Sequence, residues 1–144
     1  MTYNQVKKEL TGLLQSHAMI RMVKNCSPKE WLLKDEQPVF PVACFTINSG
    51  NFNVGLEHIY NVQIFFLDKS GAELEFEADV ISDQLQICSD IISKMRGTKR
   101  SYTIDSSISF NTIRDKYEDY LSGCEVTFNI VSQGEYDGCV MPEN

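Results

Sequence analysis

From Cys124 the chain alternates strictly: Cys124, Val126, Phe128 and Ile130 are apolar, while Glu125, Thr127 and Asn129 are polar. A period of two predicts a strand over Gly123–Val131, with one face on a core and the other open to water or a partner. A second stretch has the helical period. Between Glu77 and Arg96, the residues Ala78, Ile81, Leu85, Cys88, Ile91, Ile92 and Met95 form one stripe. Acids precede or open this helix (Glu73, Glu75, Glu77, Asp79, Asp83) and bases close it (Lys94, Arg96), which suits the helix dipole. Gly97 fits the position just past the cap. Thr2–His17 predicts another helix, with Thr2 as cap and Val6, Leu10, Leu13, Leu14 and His17 on one face.

The remaining segments carry weaker patterns. Ala18–Val23 reads as a short strand or bridge. Ser27-Pro28-Lys29-Glu30 reads as one helical turn that leads into the apolar anchor Trp31-Leu32-Leu33. Val39–Ile47 and His58–Leu67 predict two strands joined by Asn48–Gly55, a flexible hairpin tip. Asp68-Lys69-Ser70-Gly71 closes the second strand with turn chemistry. Tyr102–Phe110 predicts a strand, Asn111–Ser122 an irregular link, and Ser132–Asn144 an extended arm. The order α-β-β-α-β-β predicts an α+β fold: an antiparallel β-sheet with two α-helices packed on one face. Residues 1–131 would form a single domain, and residues 132–144 a C-terminal arm.

Composition narrows the class. The chain has 144 residues, 42% of them hydrophobic, enough for one domain with a real core. No apolar run of about 18 residues occurs, so no membrane span is expected. The first ten residues are polar and helical in pattern, so a cytoplasmic site of synthesis is expected rather than export. Five widely spaced cysteines, with no CxxC pair, fit a reducing compartment. His17 and His58 fall in different elements, so no metal site is expected.

The net charge of −7 disfavours wrapping nucleic acid. The distribution is more informative. Residues 1–30 hold five bases and two acids; residues 31–90 hold two and ten; residues 91–116 hold six and two; residues 117–144 hold six acids and no base. This alternation reads either as ordinary solvated surface or as basic and acidic faces able to meet head-to-tail.

Candidate chemistry is thin. Glu118 and Asp119 are sequence neighbours in a turn, better read as solvated acids than as an acid/base pair. Cys124 lacks an elbow motif that would pair it with a histidine. Gly50 and Gly55 are not followed by the Lys-Ser/Thr of a phosphate loop. Lys94, Arg96, Lys99 and Arg100 read first as helix-terminal charge and secondly as phosphate contacts. The expectation is a non-enzymatic protein without cofactor. The alternative is a small cytoplasmic α+β ligand-binding module or enzyme, which requires an apolar pocket with convergent polar groups.

Several of these features together resemble a known family. The strand Tyr60, Val62, Ile64 ends in a Leu67-Asp68 turn. The long helix carries Ser82, Asp83, Leu85, Gln86, Ile87, Asp90, Ile91 and Ile92. Glu118-Asp119-x-Leu121-x-Gly123 then opens the last alternating strand. Over roughly residues 2–131 the chain resembles tail terminator or tail completion proteins of tailed phages, and related head–tail neck proteins, most clearly those of Bacteroidetes-type phages and prophages. The resemblance implies a virion structural protein that assembles into a homo-oligomeric ring. Such a ring caps the growing tail tube and meets the portal or connector and tail proteins. It also implies the contact-making parts: the hairpin tip (Asn48, Gly50, Asn51, Phe52, Asn53) and the turn Tyr117, Glu118, Asp119, Tyr120. Lys94, Arg96, Lys99 and Arg100 would face a neighbouring subunit or the DNA backbone in the lumen.

Overall fold

A computed structural model describes residues 1–34, 39–71, 76–97, 100–116 and 120–133. The first helix, α1 (Tyr3–Gln15), starts at a reciprocal cap. Gln5 N donates to Thr2 Oγ1 at 3.2 Å, and Thr2 N donates to Gln5 Oε1 at 2.8 Å, so two backbone donors at the helix start are satisfied. Then follow β1 (Met22–Lys24), α2 (Pro28–Lys34), β2 (Val42–Asn53), β3 (Glu57–Lys69), α3 (Glu77–Met95), β4 (Tyr102–Ile104), β5 (Phe110–Lys116) and β6 (Leu121–Gln133).

The fold is α+β, but the sheet is mixed and three helices are described, so the order differs from α-β-β-α-β-β. The strands run β1-β2-β3-β6-β4, and β5 also pairs with β6. β1 pairs parallel with β2 because α2 and its flanking segments carry the chain back across the sheet between them. The other pairings are antiparallel. The strand predicted over Tyr102–Phe110 is two separate pieces, β4 and β5, on different stretches of β6. Most of the link predicted to be irregular is β5. The hairpin segment predicted to be a loop is paired strand through Asn53 and from Glu57. β6 runs to Gln133, past the predicted end of the final strand.

Strand alternation sorts the core into two faces. On one, α1 and α3 pack Val6, Leu10, Leu14, Ile87, Cys88 and Ile91 against Phe45, Val62, Ile64, Phe66, Cys124, Val126, Phe128 and Ile130. On the other, Trp31 of α2 packs with Val42, Cys44, Leu67, Ile113 and Leu121. Within α3 the stripe is rotated slightly from expectation: Val80, Gln84 and Ile87 are buried, whereas Ala78 is exposed. Beyond the reach of α2 the second face is polar, with Asn61 bonded to Asn129 (3.2 Å) and Gln63 to Glu125 (3.1 Å) across β3 and β6. Gly123 sits where these two strands lie closest. Its φ is +156°, and a Cβ there would overlap the Phe66 carbonyl oxygen.

Candidate functional site: the projecting hairpin

β2 and β3 pair from Val42–Leu67 out to Asn53–Glu57, but β1 covers only Val42–Cys44 on the outer side of β2. Among the described residues, no strand pairs with the outer edge of β2 from Phe45 to Asn53. A register shift between Ile47 and Ser49 places a bulge at Asn48. Such bulges turn a strand end and re-aim its side chains. Beyond it, Phe52 and Val54 stand 85% and 101% exposed and Leu56 45%. Leu56 also has φ +68°, a left-handed conformation that a branched aliphatic residue adopts at a cost. The tip therefore presents an apolar residue in a left-handed backbone conformation to solvent.

At the root of this hairpin, Tyr3, Ile47, Phe52, His58 and Tyr60 line a depression of about 230 Å³. Phe52 and His58 meet edge to face at 4.9 Å between ring centroids. Tyr60 Oη donates to the Met1 carbonyl at 2.8 Å, and burial raises its pKa. His58 Nδ1 is buried with no hydrogen-bond partner.

The other predicted site residues lie elsewhere. Lys94 Nζ donates to Ser16 Oγ at 2.9 Å. Arg96 Nη2 donates to the carbonyls of Asp105 and Ser106, both at 3.0 Å, so it ties α3 to the link after β4. Arg100 Nη1 meets Glu9 Oε1 at 3.0 Å. Tyr120 stands at the opposite end of β3 from the hairpin tip, about 40 Å away at the rise of an extended strand. Its carbonyl accepts from Ser70 N (3.0 Å) and Ser70 Oγ (2.7 Å), and φ at Tyr120 is +55°. Lys99, Tyr117, Glu118 and Asp119 lie outside the described residues. Among the described residues, Asn48–Asn53 share the hairpin, Lys94 and Arg100 line one groove beside α1, and Tyr120 stands apart.

Leu56, His58, Tyr60 and Tyr3 were not among the predicted site residues, whereas Val54 falls inside the predicted tip Asn48–Gly55. One signal was present: Val54 and Leu56 are apolar residues interleaved with Asn53 and Gly55 in a turn, where solvated loops carry polar residues. His17, expected as a satisfied or half-exposed core neighbour, is part-buried and links the end of α1 to α3. Its Nδ1 accepts from Met19 N at 3.1 Å, which leaves Nε2 to donate to Asp90 at 2.9 Å. That bond, with a second from Gln86, holds the Asp90 carboxyl below its ordinary pKa. Cys88 and Cys124, both buried, hydrogen-bond to each other between α3 and β6, and this bond together with burial pushes the Cys124 thiol up.

Tyr102 supplies a pH marker. Burial, then the charge of Glu9 and the 3.1 Å hydrogen bond donated to it, raise the phenol's pKa well above its usual value. The unfolded phenol ionises near pH 10 while the folded one stays neutral. Stability is therefore full below about pH 10 and falls as pH rises past it. Tyr102→Phe should flatten that alkaline limb in a denaturation series; an unchanged limb would show that Tyr102 does not contribute to it.

No protein-family model matches the chain, and no curated protein matches it.

Proposed function

We propose that this protein is a non-enzymatic ring component of a phage virion, a tail terminator or neck ring at the head–tail junction, with a tail-terminator-like arrangement of its sheet and helices. It works through subunit–subunit contacts and through contacts with the connector and tail tube. The observation that supports this reading is the projecting hairpin. A strand pair that extends past the core, with an outer edge that no strand among the described residues covers and a tip of Phe52, Val54 and Leu56, leaves apolar surface exposed. Soluble proteins normally blunt such an edge. A strand edge and apolar tip used together resemble strand-addition contacts, in which backbone bonds give affinity and side-chain pockets give register. The hairpin of one copy engaging its neighbour is a heterologous contact, which closes into a ring when its rotation allows, here into roughly six or twelve copies.

Negative-stain electron microscopy of purified protein, alone and added to polymerising tail-tube protein, tests the reading. Closed rings and tubes of arrested length are expected. Isolated single copies, with tubes of unaltered length, would overturn it. They would favour the small binding module, whose ligand would then be sought at the Tyr3–Phe52–Tyr60 depression.

A further inference from the structure

The two ends of α3 carry opposite charge, and neighbouring elements extend each end. At the C-terminal end, Lys94 and Arg100 join Lys8 of α1 around a groove of about 320 Å³ that also includes Glu9, Leu13 and Ser16. A second depression of about 380 Å³ continues along α1 past Lys7, Thr11 and Gln15. The two meet at Lys8 and Gly12, which line both. Gly12 sits in the last turn of α1, where its carbonyl accepts from Ser16 N at 3.0 Å. A Cβ built there meets nothing within 4 Å, so packing inside the protein does not require the glycine. Its effect is to leave the helix backbone open between flanking cations.

At the other end of α3, about 22 Å away along the helix, Ala78, Asp79, Ser82 and Asp83 are exposed on one face. Asp68 adds to this acidic end. Its carboxyl is raised first by burial and then by the charge of Asp83, with Arg21 and Lys69 as the cations close enough to act on it. Small side chains alternate here with carboxylates, the complement of an open glycine flanked by lysine and arginine.

We infer that the α1 groove around Gly12 receives the exposed N-terminal face of α3 from a second copy, with Asp79 and Asp83 pairing with Lys8, Lys94 and Arg100. Ala78 and Ser82 let the two helices approach closely at Gly12. The inference rests on the ring reading and gives it a second interface, distinct from the hairpin. Charge complementarity within the chain selects the occupant: the exposed acids at the start of α3 in a second copy match the cations lining the α1 groove.

Charge reversal tests it. Lys8→Glu and Asp83→Lys should each weaken self-association by about tenfold or more, and the double variant should recover most of the loss. Gly12→Leu should leave the protein folded, with unchanged or raised Tm, yet weaken association as much as the single reversals do. Single reversals without effect, or a double variant no better than either single, would overturn the inference while leaving the hairpin contact standing. So would a wild type that stays monomeric at low salt and high concentration. Retention on a DNA duplex that Lys8→Glu abolishes and Asp83→Lys does not restore would overturn it in favour of a phosphate backbone as occupant. If the reversals behave as expected while hairpin variants assemble normally, the fault lies with the hairpin reading.

Discussion

The double variant Val54→Asp, Leu56→Asp should fold normally and lose self-association by at least about a hundredfold. Both side chains stand at the hairpin turn, with Val54 fully exposed, and neither belongs to the core clusters. Surface substitutions of this kind usually change folding stability by less than about 0.5 kcal/mol. On the proposed ring reading, the same side chains are buried against a neighbour in the assembled state. Removing a valine and a leucine from that contact forfeits roughly 1.5–3 kcal/mol each, and burying an unpaired carboxylate in their place costs more. Each 1.4 kcal/mol is about a factor of ten, so two decades is the lower bound. Leu56→Gly separates the contributions. It relieves the left-handed backbone at φ +68° and adds no charge, so the monomer should be at least as stable while association still weakens. Sedimentation velocity for association and thermal unfolding for the monomer read both.

Phe66→Ala should produce the largest loss of folding stability, about 3–5 kcal/mol. Phe66 is 1% exposed in the C-terminal half of β3, between Ala43 of β2 and Cys124 of β6, on the face that α1 and α3 cover. Its removal opens a cavity that the paired strands cannot collapse, because ladder hydrogen bonds on both sides fix their positions. Against a typical total of roughly 5–15 kcal/mol, such a loss lowers Tm by about 10 °C or more. A loss under about 1 kcal/mol in denaturant unfolding would contradict the packing described here.

What could be read from the chain followed from where side chains alone set the local structure. α3 was legible because a single long stripe and opposite terminal charges agreed, and β6 because its alternation was unbroken. β5 was not. Its one buried side chain among those described is Ile113, so its own pattern carries little strand signal, and its strand form comes from pairing with β6, the next element in the chain. The outer half of β2 failed for the same reason. Asn48, Ser49, Gly50 and Asn51 have loop chemistry, and the register is imposed by β3, which β6 supports from its other side. The short strand or bridge expected over Ala18–Val23 overlaps β1, but three residues carry no sign that its pairing with β2 is parallel. In the hairpin, the first strand was expected to end before Asn48, whereas its pairing runs on to Asn53. Local polarity marks where a strand leaves the core, whereas only the sheet shows that pairing continues and carries Val54 and Leu56 clear of it.

Native mass spectrometry of the wild type beside the Val54→Asp, Leu56→Asp variant, at low and high salt, tests the central claim most directly. The account predicts one closed oligomer of roughly six or twelve copies for the wild type and single copies for the variant. It also predicts that added salt loosens the wild-type ring by screening the charged contact while leaving the apolar one. Equal masses for the two proteins, whether both rings or both monomers, would contradict it.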